Sequence, residues 1–267
     1  MSGVRADRPR VSGVPAPGSP VSGVPVPGSP VSGVPVPGSP VSGPPAPGPP
    51  ARRPPVRQSV KEIDTPVGMA RAHLWRPPHP CGAVVLGHGA GGSSWSADLQ
   101  ALTSLASNGW LVVLVEQPWR VAGRRVATPP AQLDLAWLAV MAKLTTGRGG
   151  LPRPLVVGGR SSGARVACRT AAAVGADAVL AMSFPLHPPG RPEKSRASEA
   201  LLVTESGTPL AVIQGEGDPF GSPQEVRTAL GTAALVVPVP GTHSFTKPPT
   251  DVLAAATTFL TNLGTVS

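Results

Sequence analysis

A serine at position 161, an aspartate at 218 and a histidine at 243 occur in the order and local settings that acyl-transfer chemistry requires. The run Leu155-Val156-Val157-Gly158-Gly159-Arg160-Ser161-Ser162-Gly163 closes an apolar stretch, and Ala164–Ala173 follows with the composition of a helix. This is G-x-S-x-G between a strand and a helix. The turn holds its central residue at strained dihedrals so that the hydroxyl protrudes, and small residues two before and two after let strand and helix close on it. Gly159 and Gly163 fill both positions around Ser161; centring on Ser162 would put Arg160 and Ala164 there. Ser161 is therefore the expected nucleophile. The five-residue string also arises by chance in a chain rich in Gly and Ser, so the flanking pattern carries the reading.

A serine hydroxyl is a poor nucleophile near neutral pH unless a histidine removes its proton, and that histidine needs a carboxylate to fix its tautomer. Leu210-Ala211-Val212-Ile213-Gln214-Gly215-Glu216-Gly217-Asp218 reads as a strand running into a turn. Asp218 stands just past the strand's C-terminal end, where open α/β sheets bind ligands. It is the expected acid, with Glu216 in reserve; an ordinary turn Asp before Pro219 is the plainer alternative. Of the five histidines only His243 follows both Ser161 and Asp218, again just beyond an apolar strand. It is the expected general base.

The loop Gly87-His88-Gly89-Ala90-Gly91-Gly92 supports two readings. Gly87, Gly89 and Gly92 match G-x-G-x-x-G after a strand, and the next strand ends in Glu116, 24 residues beyond Gly92, which together suit a nucleotide-binding oxidoreductase. Ser93-Ser94-Trp95, however, separates the glycines from the expected helix start, whereas a pyrophosphate needs the helix N-terminus at the glycines. That reading also leaves Ser161, Asp218 and His243 idle. In the hydrolase reading the bare backbone approaches a developing oxyanion. One donor then comes from the Gly89, Ala90, Gly91 segment and the other from the N–H of Ser162, while His88 braces the loop.

These residues need a scaffold, and the pattern after residue 57 supplies one: short Val/Leu/Ile/Ala runs alternating with helical stretches, as in an α/β domain with a mainly parallel sheet. Two weaker strands near Ser59–Asp64 and Met69–Trp75 flank the turn Thr65–Gly68. Six strong ones follow, at Ala83–Leu86, Trp110–Glu116, Leu155–Gly158, Ala178–Ser183, Leu210–Gln214 and Leu235–Val239. Their continuous apolar character implies burial on both faces. Helices are expected at 96–107, 130–144, 162–174, 223–230 and 250–263. The connection Leu186–Thr208, with Arg191, Lys194, Arg196 and Glu199, is long. It forms either a small lid, whose basic character hints at anionic substrates, or a solvated excursion.

Residues 1–57 are of another kind, with 17 Pro and 9 Gly among them, in repeats of the decapeptide VSGVPAPGSP. Such composition predicts a disordered, extended spacer in front of a domain at 58–267. A Pro-binding protein partner for the tail has no support in the residues. The tail carries six Arg against Asp7, so it accounts for +5 of the +9 net charge and leaves +4 on the domain. Without aromatics interleaved among the arginines, nucleic acid is not an expected partner. No h-region or apolar span marks export or a membrane, so a cytoplasmic protein is expected. Cys81 and Cys168 are too few for a disulfide framework or a cysteine-rich metal site.

Taken together, these elements resemble the α/β-hydrolase superfamily across residues 58–267. His88–Gly92, Gly158–Gly163, Phe184–Gly190 and Gly217–Gly221 are similar to compact dienelactone-hydrolase-like proteins, and through them to the hydrolase-like part of the third subunit of the non-specific-lethal histone acetyltransferase complex. The resemblance implies about eight strands with helices on both faces, a minimal cap, a triad at Ser161, Asp218 and His243, and no metal or organic cofactor. Dienelactone hydrolases proper use a cysteine where this chain has Ser161, so their reaction does not transfer. The expectation is a serine hydrolase of small or medium acyl esters or thioesters. A catalytically inactive interaction protein on the same scaffold is the alternative.

Overall fold

The computed structural model describes Gly28 and residues 55–91, 95–146 and 150–263. Apart from Gly28, the repeats of the tail lie outside the described residues, as do Gly92, Ser93 and Ser94 of the first glycine loop. The chain divides into two units at Pro50–Ala51, and the sheet and helices all belong to Ala51–Ser267.

Strands β1 (Arg57–Thr65) and β2 (Gly68–Arg76) form a hairpin. In its turn Gly68 takes φ 117° and the Thr65 hydroxyl donates to the Gly68 carbonyl at 2.6 Å. The remaining strands are β3 (Gly82–Gly87), β4 (Trp110–Glu116), β5 (Leu155–Arg160), β6 (Ala178–Met182), β7 (Leu210–Gly215) and β8 (Ala234–Val239). The sheet order is β1-β2-β4-β3-β5-β6-β7-β8. β1, β2 and β4 pair antiparallel; every pairing from β4 through β8 is parallel. Eight strands in a mainly parallel sheet is the expected architecture.

Side chains alternate across β3, β4 and β5, so each face receives its own apolar layer. Val84, Leu86, Val112, Leu114 and Val156 meet helices α1 (Ala97–Leu102) and α7 (Thr250–Leu263) through Leu99, Leu102, Val252 and Leu260. Val85, Val113 and Val157 meet α3 (Pro130–Thr145) and α4 (Ser162–Thr170), through Trp137, Val140 and Ala167. Helices α5 (Ala197–Glu205) and α6 (Pro223–Leu230) extend that second layer. A short helix, α2 (Pro118–Val121), follows β4.

Sequence reading misses α2 and α5, and the helix expected at 96–107 divides into α1 and a 3-10 turn, Thr103–Asn108, that ends at Gly109 with φ 94°. Of the two readings of the connection Leu186–Thr208, the solvated excursion fits its exposed residues 189–195, and the lid gives way to a helix. α5 fills the crossover from β6 to β7 as a layer helix. Glu199 on it accepts two bonds from Arg165 and one from Arg169 of α4, and Arg169 also grips Asp134 of α3. Arg196 donates to the Pro185 carbonyl at 3.1 Å. Two of the four charges of this connection, Arg196 and Glu199, thus have partners within the fold, while Arg191 and Lys194 are exposed. No helix among the described residues is long and apolar enough to cross a membrane.

Candidate active site

The parallel strands deliver their C-terminal ends to one edge of the sheet. Gly87, Arg160, Met182 and Gly215 end β3, β5, β6 and β7 there. Ser161 occupies the turn between β5 and α4 with φ 53° and ψ −110°, a conformation costing a non-glycine residue about 1–3 kcal/mol. Its N–H donates to the Met182 carbonyl at 2.9 Å, tying the turn to β6. The turn is possible because Gly159, Gly163 and Gly87 meet without side chains: a Cβ on Gly159 would lie 2.4 Å from the Gly87 carbonyl oxygen, and one on Gly163 would lie 2.3 Å from it. The glycines expected to flank Ser161 thus let its strand and helix close on the first glycine loop.

Asp218 and His243 come to Ser161 from the ends of β7 and β8. His243 Nε2 is 2.9 Å from Ser161 Oγ, and His243 Nδ1 is 2.9 Å from Asp218 Oδ2 and 3.1 Å from Oδ1. A carboxylate accepts and does not donate, so Nδ1 carries the ring proton and Nε2 presents its lone pair to the serine hydroxyl. The Asp218 side chain is wholly buried, whereas that of His243 is 20% exposed, which leaves the imidazole reachable from solvent. The Phe220 ring packs over the imidazole at 4.3 Å between centroids. Glu216, the reserve acid, is exposed; its N–H donates to the Val239 carbonyl at 3.0 Å, and its carboxylate does not join the group around His243.

The sequence passes over Gln214. It is wholly buried near the end of β7, its Nε2 3.0 Å from Asp218 Oδ2 and 2.7 Å from the Gly221 carbonyl, while its Oε1 accepts from the Phe184 N–H at 2.9 Å. The available signal is the one polar side chain in the otherwise apolar strand LAVIQG. Phe220 N–H adds a bond to Asp218 Oδ1 at 2.9 Å. These donors fix the plane of the carboxylate before it meets the imidazole.

The first glycine loop is braced as expected. His88 Nδ1 lies 2.8 Å from the Gly89 carbonyl, and Nε2 accepts from the Gln117 N–H at 3.0 Å. The peptide joining Gly89 to Ala90 is planar and trans, so a carbonyl drawn to His88 turns the Ala90 N–H the opposite way. Ala90, Gly91 and Ser161 line one cleft of ≈ 840 Å³, a volume within the usual range of ligand sites. Trp95, Phe220 and Phe245 supply apolar wall and Lys247 also lines it; no residue of 186–208 contributes. α1 starts at Ala97, several residues beyond Gly91, so a helix N-terminus does not stand at these glycines as a pyrophosphate site requires. Among the described residues no group of three His, Cys, Asp or Glu side chains could hold a metal ion.

Comparison with known proteins agrees with this architecture. A family model described as an alpha/beta hydrolase domain matches residues 80–258. An a/b serine hydrolase without lid from Xanthomonas campestris is 21% identical, with 78% of this chain and 95% of that one covered at a TM-score of 0.60. Est1E from Butyrivibrio proteoclasticus is 18% identical over 76% of this chain and 98% of its own, with a TM-score of 0.62. Dienelactone hydrolase from Anabaena variabilis is 19% identical over 78% and 96%, with a TM-score of 0.61. At such identities the likeness is one of fold. No curated protein sequence matches the chain. With the family match spanning most of the sheet and the whole site edge, the chain belongs to the α/β hydrolase domain family.

Proposed function

We propose that the protein is a serine hydrolase that cleaves small or medium carboxylic esters or thioesters through an acyl-enzyme. The observation that carries this reading is the unbroken series Asp218, His243, Ser161, joined at 2.9 Å on each side of the imidazole. His243 Nε2 takes the Ser161 proton as Oγ bonds to the substrate carbonyl carbon, and the carbonyl π pair moves onto oxygen. The first N–H groups of a helix have no partner within it, so the Ser162 N–H at the start of α4 is free to receive that oxyanion. The Ala90 N–H is the second donor, which narrows the Gly89–Gly91 segment to one amide. Collapse expels the alkoxide or thiolate, which leaves with the proton from His243. Water, deprotonated by the same nitrogen, then releases the acid and restores Ser161. The chain has no tyrosine, so backbone amides supply the stabilisation that a phenol gives in other sites.

The test is labelling with a fluorophosphonate probe beside hydrolysis of p-nitrophenyl acetate. Wild type is expected to take the label and turn over, and Ser161→Ala to lose the label and on the order of 10⁴- to 10⁶-fold in kcat. Label retained in Ser161→Ala would overturn the nucleophile assignment. Wild type that takes no label and does not turn over would favour an interaction protein on this scaffold.

A further inference from the structure

We propose that Arg160, held in place by Asp98, is a positioning residue for this reaction: its guanidinium fixes the backbone of His243 and with it the reach of the imidazole to Ser161. The proposal rests on the hydrolase reading above and adds to it a part for the residue that precedes the nucleophile.

Arg160 ends β5, and its side chain turns along the floor of the cleft only 11% exposed. Nη2 donates to the His243 carbonyl at 2.6 Å and to Ser244 Oγ at 3.2 Å. Ser183, wholly buried at the end of β6 with φ 44°, donates its hydroxyl to the same carbonyl at 3.1 Å. Two donors from adjacent strand ends therefore converge on one oxygen and use both of its lone pairs. Asp218 fixes the ring of His243; Arg160 and Ser183 fix the peptide that carries it. Because Arg160 is covalently joined to Ser161, the clamp and the nucleophile move as one body.

Asp98 explains why Arg160 stays. Its side chain is 5% exposed, with Oδ2 3.2 Å from Arg160 Nε, an ion pair without hydrogen-bond geometry. A buried carboxylate and a buried guanidinium are each costly alone, so each retains the other. Gly89 completes the berth: a Cβ there would stand 3.3 Å from Arg160 Nη1 and 3.5 Å from Ser161 Cβ. The glycine loop, the nucleophile turn and the histidine loop thus meet on one guanidinium. Proton transfer needs a heavy-atom separation of about 2.6–3.2 Å, and a shift of about 1 Å costs on the order of 10²-fold.

The experiment measures p-nitrophenyl acetate kinetics and the rate of fluorophosphonate labelling for Arg160→Met, Arg160→Lys, Asp98→Asn, Ser183→Ala and Ser161→Ala. In Arg160→Met, kcat is expected to fall about 10- to 100-fold with KM within about threefold, and labelling to slow in proportion. Arg160→Lys keeps one donor and recovers most of the loss, which a role confined to folding would not give. Ser183→Ala and Asp98→Asn, each leaving part of the clamp, fall by about three- to tenfold. Parental kcat in Arg160→Met overturns the proposal, as does a rise in KM alone. Should Arg160→Met not fold, parental kcat in both Ser183→Ala and Asp98→Asn overturns it. If Ser161→Ala still hydrolyses, the nucleophile assignment has failed instead, and wild type inert to substrate and probe overturns both.

Discussion

His88 faces an acceptor at Gly89 and a donor at Gln117, and only the neutral imidazole satisfies both. Burial pushes its pKa below the ordinary 6.5 and Arg120 adds to the fall, while the Gly89 hydrogen bond and Glu116 act in the other direction. The unfolded chain takes up this proton near 6.5 and the folded chain resists it, so the stability it contributes is present above that pH and is lost as pH falls below it. One such proton changes stability by up to about 1.4 kcal/mol per pH unit. Glu199 and Glu225, held below an ordinary value of 4.5, titrate at lower pH than this histidine does in the unfolded chain, so the His88→Gln comparison is what isolates its share. Urea unfolding at pH 7.5 and 5.5 is expected to show the loss, and His88→Gln, which keeps a donor and an acceptor, to flatten it. Equal pH dependence in both proteins would assign the effect elsewhere. His88 is legible in the sequence through its loop, as Ser161, Asp218 and His243 are through their order at the ends of β5, β7 and β8. Arg160 and Asp98 are not: the carbonyl that Arg160 holds lies 83 residues away, and no local pattern announces such a partner.

At the level of elements, apolar runs locate the six strands β3 to β8, while β1 and β2 are found as weaker strands about the turn Thr65–Gly68; α6 coincides with the helix expected at 223–230, and Ser222 and Glu225 fix its start in a reciprocal capping box. α5 is illegible for the converse reason. Only Ala200 and Val203 of ASEALLVTE are buried, and no side chain caps its start, so its position depends on charge partners in other elements. Burial pushes the Glu199 carboxyl up, but Arg165 and Arg169 outweigh it and hold the group below the usual carboxylate range. The side chains in this network are 16–22% exposed, dry enough for the pairing to matter. Glu199→Gln takes the carboxylate from Arg165 and leaves Arg169 with Asp134 alone, and is expected to cost roughly 1–3 kcal/mol in urea unfolding at pH 7. That contribution is present above pH 4.5 and fades as the medium is acidified through the lowered pKa. kcat/KM should not change, because α5 contributes nothing to the cleft. Lost activity with stability intact would restore the lid.

The molecule as a whole uses proline and glycine in two ways. In the repeats they recur without an apolar partner pattern; in the hydrolase unit Gly87, Gly159 and Gly163 stand where backbones approach too closely for a Cβ. The boundary expected after residue 57 rests on that difference, because a packed core needs runs of apolar residues and the tail has none; β1 begins at Arg57 itself. All eight strands, the match to the family at 80–258 and every residue given a part in the reaction lie within Ala51–Ser267. Removing Met1–Pro50 takes away Arg5, Arg8 and Arg10 against Asp7, so net charge falls from +9 to +7 and stays basic. A chain starting at Ala51 is expected to melt within about 2 °C of the full protein and to hydrolyse p-nitrophenyl acetate with kcat/KM within about twofold. Thermal unfolding and steady-state kinetics of the two chains side by side check this. A lower Tm would mean that the repeats cover apolar surface of the folded unit. A changed KM at constant Tm would mean that they reach the cleft, so the two readouts separate a stabilising tail from one that acts on substrate.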